Sequence, residues 1–428
     1  MRRVVVTGLG AVTPIGNSAA ETWESAKKGV CGIAPITHYD TTGHKVTLAA
    51  EVKDFHPERV IDKSELRKMD DFTIYAVASA QEAFANSGLN MEKEDPDRCG
   101  IIFSSGIGGL TTIQREDLRG KEKGYDRVSP HFIPMAIANM AAGHIAIRLG
   151  FHGMCTCVVT ACASGTNAIG DAFRQIKDGY HDVMIAGGSE ASINSLGIGG
   201  FTSMKALSTA TDPSRASIPF DKERGGFVMG EGGGALVLEE YEHALARGAE
   251  IYCEVVGYGY SCDANHVTAP LADGSMAARA MTKAMEEAGV KPEEIDYINA
   301  HGTSTLLNDK SETLAVKLAF GDAAKKLMMS STKSMTGHLL GASGAIEAIL
   351  TILSIRHNLV PPTIGYQVPD ELCDLDIVPN EARKTTVNLA MSNSLGFGGH
   401  NASIIFRDGS YLPRSVPAVQ NSPVCPGE

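Results

Sequence analysis

The chain has 428 residues, room for two or three ordinary domains, and its 43% hydrophobic and 21% charged residues are a globular balance. A formal charge of −12 excludes any general electrostatic attraction to nucleic acid or anionic membrane, so an acidic partner must find a local basic patch. Nine cysteines, an odd number without framework spacing, read as reduced thiols, and no run of about 18 apolar residues can span a bilayer, so a soluble cytoplasmic protein is expected.

Met1-Arg2-Arg3 and the three valines after them superficially resemble a signal peptide. Thr7, Gly8 and Gly10 break the run at once, so a buried strand over Val4–Thr7 is the better reading. Helical periodicity then covers Asp71–Ser87, and a β-branched run covers Gly100–Ser104. Thr166–Lys177 is helical, followed by strand-like runs at Val183–Ala186, Leu236–Glu239 and Ile251–Val256. Ser275–Ala288, Ser311–Phe320 and Ala345–Arg356 are helical, with strand-like Tyr297–Ala300, Leu327–Ser330 and Ala402–Phe406 among and after them. This alternation predicts an α/β fold.

The halves also repeat. QEAFANSGLNMEKEDPDRCGIIFSSG at 81–106 and TKAMEEAGVKPEEIDYINAHG at 282–302 share an order of helix, glycine stop, acidic loop and strand. Ala163-Ser164-Gly165 and Ala342-Ser343-Gly344 each open a helix. A duplicated core is expected, with one half over 1–250 and the other over 251–408. The proline-containing stretch 409–428 reads as a flexible tail.

Three loops carry candidate chemistry. Cys162, in VVTACASG, stands between a β-branched run and a helix. There the helix dipole is expected to depress the thiol pKa, although a lone cysteine in such a place is more often a small buried hydrophobe. His301, in NAHGTST, and His338, in KSMTGH, each follow a predicted strand, where open α/β sheets place ligands. Either could instead be a structural hydrogen-bonding residue. NSLGFGGHN sets one aromatic, Phe397, among glycines: a tight turn, or a mobile backbone giving its N–H to an oxyanion with the ring as gate. Gly8, Gly10 and Gly16 do not make a dinucleotide fingerprint, because Thr13 occupies the third glycine's place, and Cys155 and Cys157 lack a second metal-ligand pair.

With VVVTGLGAVTPIG, SSGIGGL, TACASG, FDKERGGFVMGEG, NAHGTST, STKSMTGHLLGASG and NSLGFGGHN in order from Val4 to Phe406, the chain resembles the β-ketoacyl-acyl carrier protein synthases of the thiolase superfamily, most closely those of bacterial type II. The resemblance implies a five-layered αβαβα fold of two similar halves and a homodimer. It also implies partnership with acyl- and malonyl-loaded carrier protein and a reaction that needs no cofactor; ligand spacing, charge and hydropathy give no reason to expect a catalytic metal, nucleic acid or a membrane. By the same resemblance Cys162 is the nucleophile, His301 and His338 are the catalytic histidines, and Phe397 is second oxyanion donor and gate. Lys333 and Glu347 are expected to orient His338, with a direct catalytic role for Lys333 as the alternative. Thr303 and Thr305 would hold the pantetheine arm, Ile107 would shape the floor of the acyl pocket, and Phe201 and Gly398 would contact substrate. Lys63, Arg67, Lys68 and Lys205 match basic carrier-docking positions. Leu395 departs from the family's phenylalanine.

The implied reaction is acyl transfer to Cys162, decarboxylation of malonyl-carrier protein with both histidines on the thioester carbonyl, and attack of the enolate on the acyl-cysteine. A thiolase would carry a second catalytic cysteine and an initiating synthase Cys-His-Asn, and neither matches. The alternatives are a polyketide ketosynthase and, in another class, a non-catalytic chain-length partner.

Overall fold

The computed structural model describes residues 2–410, so the expected tail lies almost wholly outside the described residues. Ten strands build the core. The first half contributes β1 (Val4–Val12), β2 (Cys99–Ser104), β3 (Cys155–Thr156), β4 (Val183–Glu190) and β5 (Gly232–Glu240). The second contributes β6 (Cys253–Cys262), β7 (Tyr297–Asn299), β8 (Met328–Ser330), β9 (Leu389–Gly396) and β10 (His400–Arg407). The halves are ordered β1-β5-β4-β2-β3 and β6-β10-β9-β7-β8, one topology used twice. In each, the first two pairings are antiparallel and the last two parallel. The two sheets join where Val4–Val6 pairs with Cys253–Val255.

Six helices repeat as well: α1 (Asp71–Ser87), α2 (Met140–Leu149) and α3 (Ser164–Lys177), then α4 (Ser275–Ala288), α5 (Leu306–Phe320) and α6 (Ser343–His357). Helices α3 and α6 lie between the sheets in a core shared by both halves, including Ile169, Phe173, Ile346, Ile349, Leu236 and Ile404. Helices α1 and α2 cover one outer face and α4 and α5 the other. Five layers, αβαβα, result.

Local signals explain the outer helices. Asp70 caps α1 through Phe72 N–H, and the left-handed Gly88 ends it; Gly289 ends α4 the same way. The Gly-x-Gly sequences are packing devices. A Cβ at Gly8 or Gly10 would stand 2.1 or 2.0 Å from the carbonyls of Ala83 and Ser79 on α1. Gly257 and Gly259 on β6 meet Ala284 and Ala280 of α4 at 2.1 and 2.0 Å. Each pair lets an outer helix lie directly on its strand.

Strand β9 escaped the sequence reading. Its Ser392, Asn393 and Ser394 are buried polar residues, an unusual strand composition. The β-branched run Val158–Thr160 is not a strand: β3 stops at Thr156 and the chain continues irregularly to Cys162.

Candidate active site

The middle helices set the site. Their N-termini touch: a Cβ on Gly165 would meet Ala345 N at 2.8 Å, and one on Gly344 would meet Thr166 N at 2.5 Å. The two Ala-Ser-Gly sequences thus bring the segments preceding α3 and α6 together, and those segments carry Cys162 and His338.

Cys162 lies in the 3-10 turn Ala161–Ala163 and is 8% exposed. Ala161 holds φ +50°, a left-handed conformation costly for a residue with a Cβ. Ser164 stabilises the turn, accepting from Thr160 N–H (2.8 Å) and donating to the Ala161 carbonyl (2.6 Å). The N–H groups of Cys162 and Phe397 both face the sulfur. A small cavity of about 100 Å³ is lined by Cys162, His301, His338, Thr303, Thr305, Phe201 and Phe397. Phe201 stands 6.3 Å from Phe397 and 5.4 Å from Phe227 between centroids, so aromatic rings close the space around the thiol.

The histidine rings cross at 86° with centroids 5.3 Å apart. His301 follows β7, its loop fixed by Glu312, whose carboxylate accepts from His301 N–H (2.7 Å) and Gly302 N–H (2.8 Å). His338 is held through its main chain to Val228 and Gly230, and its Nδ1 lies 2.8 Å from the Ser343 hydroxyl. Lys333 Nζ lies 3.4 Å from Nδ1 of His301 and is ion-paired with Glu347, all buried. This corrects the expected orientation of His338 by Lys333: the lysine serves His301, and Ser343 serves His338. An ammonium only donates, so His301 Nδ1 accepts and its proton resides on Nε2. Ser343 can donate or accept, leaving both tautomers open to His338.

Electrostatics amend a second expectation. Burial pushes the Cys162 thiol up to about 12, against the opposing pull of Lys333 and of the two N–H groups, so the resting thiol is protonated rather than depressed. Burial, then the Lys333 charge, drives both histidines well below their ordinary value and keeps them neutral. Burial also raises Glu347 to about 7 despite its pairing with Lys333.

The other expected residues are placed as follows. Thr303 and Thr305 hydroxyls lie 3.0 Å apart at the cavity. Gly398, with φ +86°, sits in the tight turn joining β9 to β10 beside Phe397. Ile107 is 37% exposed and outside the cavity. Lys63, Arg67 and Lys68 are exposed on a four-residue helix and its C-terminal end, and exposed Lys205 precedes the cavity-lining Ala206. Sequence reasoning missed Asp263 and Asn308 in the lining, and Glu312 and Ser343 behind the histidines. Only Ser343 had a signal, in its repeated Ala-Ser-Gly. Among the described residues no cluster of three metal-ligating side chains occurs, and no helix is long and apolar enough to cross a membrane.

Comparison with known proteins agrees with this geometry. The family model for the β-ketoacyl synthase N-terminal domain matches residues 1–244, and that for the C-terminal domain matches 252–367. The chain is 52% identical over 406 residues to a 3-oxoacyl-[acyl-carrier-protein] synthase 2 of Staphylococcus aureus, covering 95% of this chain and 98% of that one. Its fold matches a β-ketoacyl synthase from Burkholderia phymatum with TM-score 0.88 and 36% identity, covering 95% of this chain and 100% of that one. It also matches a type II PKS acyl-carrier protein in complex with its ketosynthase bound to the hexaketide, with TM-score 0.87, 35% identity and coverage of 95% and 99%. With one topology repeated around a buried cysteine and two neutral histidines, and both domain models matched in order, the chain belongs to the β-ketoacyl synthase family.

Proposed function

We propose that the protein is a type II 3-oxoacyl-carrier-protein synthase that elongates fatty acyl chains by two carbons through decarboxylative condensation. The observation that carries this reading is the convergence of Cys162, His301 and His338 on one small cavity, with two N–H groups aimed at the sulfur. In the first half-reaction His338, its Nδ1–H turned to Ser343, takes the thiol proton on Nε2. The sulfur attacks the acyl thioester, the N–H groups of Cys162 and Phe397 hold the oxyanion, and the proton leaves on the carrier thiol. In the second, His338 is in its Nε2–H tautomer, with Nδ1 accepting from the Ser343 hydroxyl; His301 and His338 donate from Nε2 to the malonyl thioester carbonyl, carbon dioxide departs and the enolate attacks the acyl-cysteine. The Cys162 thiolate leaves and takes up a proton from solvent, the one proton the condensation consumes. Decarboxylation supplies the driving force.

Thr303 and Thr305 suit the pantetheine arm, Phe201, Gly398 and Ile107 the acyl chain, and Lys63, Arg67, Lys68 and Lys205 an acidic carrier protein. The two topological repeats support units at 1–250 and 251–408. Outermost β3 leaves a short open sheet edge flanked by exposed Met154 and Val159, which supports pairing with a second copy as a homodimer. All eight described cysteines are free, as suits a reducing cytoplasm. A polyketide ketosynthase is the second reading, favoured by the structural likeness at 35% identity but outweighed by the 52% relative.

Incubation with a ladder of acyl-carrier proteins, read by mass spectrometry, tests the reading. Acylation of Cys162 and two-carbon extension by malonyl-carrier protein are expected. Condensation at the wild-type rate in Cys162→Ala would overturn the nucleophile.

A further inference from the structure

Glu190 ends β4, is 0% exposed, and has no step in the chemistry above. Its Oε2 accepts from Gly106 N–H (2.8 Å) and Gly341 N–H (3.0 Å). Its Oε1 accepts from Ile107 N–H (3.2 Å) and the Ser105 hydroxyl (3.1 Å), with Ser192 Oγ at 3.5 Å. These partners are all neutral. A buried carboxyl is costly without such donors, so several converging on one side chain make a built anchor.

The anchor ties two segments together. One is the loop after β2 carrying Ile107; the other is the loop between His338 and Ser343 that contains Gly341. They meet backbone to backbone: a Cβ on Gly341 would stand 2.2 Å from Gly106 N and 2.9 Å from Glu190 Oε2. Glu190 holds Ile107 through its main-chain N–H, and the Ile107 side chain is 37% exposed.

We infer that Glu190 is a positioning residue for acyl-chain length. Its carboxylate fixes the Ile107 main chain against the His338 loop and limits how far the pocket floor yields. This rests on the reading of Ile107 as that floor.

Glu190→Gln is the incisive variant. The amide oxygen can keep Gly106 and Gly341, and the NH₂ can donate to the serine hydroxyls, but that NH₂ then opposes Ile107 N–H. The loop is released at Ile107 alone. The readout is the ratio of kcat/KM for long against short acyl-carrier donors, with thermal unfolding measured alongside. The ratio is expected to rise roughly tenfold, the scale of one hydrogen bond. Ser105→Ala, which removes a hydroxyl ligand from the loop side, should move it the same way and carries the test if Glu190→Gln does not fold. A ratio within about twofold of wild type, or lower, overturns the proposal, because loss of folded enzyme reduces all donors equally. Ile107→Phe, measured in parallel, locates the failure. If it cuts long chains selectively while the other variants leave the ratio unchanged, only the Glu190 role falls; if it leaves the profile unchanged, the floor reading falls and the Glu190 role with it.

Discussion

Replacing Lys333 with methionine separates two jobs that the structure assigns to one ammonium. Lys333 and Glu347 are 1% and 2% exposed; Glu347 meets Lys333 through Oε1, and its Oε2 has no hydrogen-bond partner among the described residues. Removing one member of a buried pair leaves an uncompensated charge and costs ~3–5 kcal/mol, whereas removing both is far milder. Lys333→Met and Glu347→Gln should each destabilise on that scale. The double variant should recover ~2–3 kcal/mol of the summed loss, the coupling between the two residues. Activity follows a different logic. Without the ammonium at Nδ1, His301 is free to place its proton there and loses its Nε2–H donor. Carbon dioxide release from malonyl-carrier protein should therefore fall about 10–100-fold in both lysine variants, by analogy with lost supporting hydrogen bonds. Stability regained without activity is the signature sought. Guanidinium denaturation at pH 7.5 and a labelled carbon dioxide assay measure the two quantities. Additive stability losses would refute the buried pair, and wild-type decarboxylation by Lys333→Met would refute the tautomer argument.

Ser343→Ala removes the hydroxyl 2.8 Å from His338 Nδ1 and should slow decarboxylation about tenfold with ~1 kcal/mol of destabilisation; unaltered rates would exclude Ser343 as the orienting group. Gly344→Ala would force a Cβ to 2.3 Å from Thr166 Oγ1 and 2.5 Å from Thr166 N, so a loss of ~1–3 kcal/mol is expected, and a neutral result in denaturation would contradict the close approach of the two helices. Arg67→Glu/Lys68→Glu should weaken use of acyl-carrier protein, most at low salt, and spare a small acyl-pantetheine thioester; equal loss with both donors would indicate damage to the site itself. Burial, then Lys333, lowers both histidines below 6.5, so the unfolded chain takes up protons there before the folded one does. Their contribution to stability is present above pH 6.5 and is lost as pH falls through 6.5 toward their folded values. His301→Asn/His338→Asn should flatten that part of the pH–stability curve, and an unchanged slope would contradict their burial as neutral groups.

Helices α1 and α4 could be read to the residue, because Asp70, Gly88 and Gly289 act within one turn of the ends they define. The α/β alternation, the internal duplication and the loops carrying Cys162, His301 and His338 were legible too, since periodicity and motif order are properties of the chain. Tertiary structure decided the rest. Strand β9 is polar because its partners are distant: Ser394 bonds Thr166 at 2.8 Å and Asn393 accepts from Ser403 at 2.7 Å. Lys333 is five positions from His338, yet the short helix Lys333–Thr336 and Gly337 at φ +66° separate them, while His301, 32 residues away, receives its ammonium. The Cys162 pKa likewise depends on more than its place at a helix start. Burial by neighbours from both halves outweighs the favourable charge and N–H groups, because desolvation is set by everything packed around a thiol and sequence order does not record that.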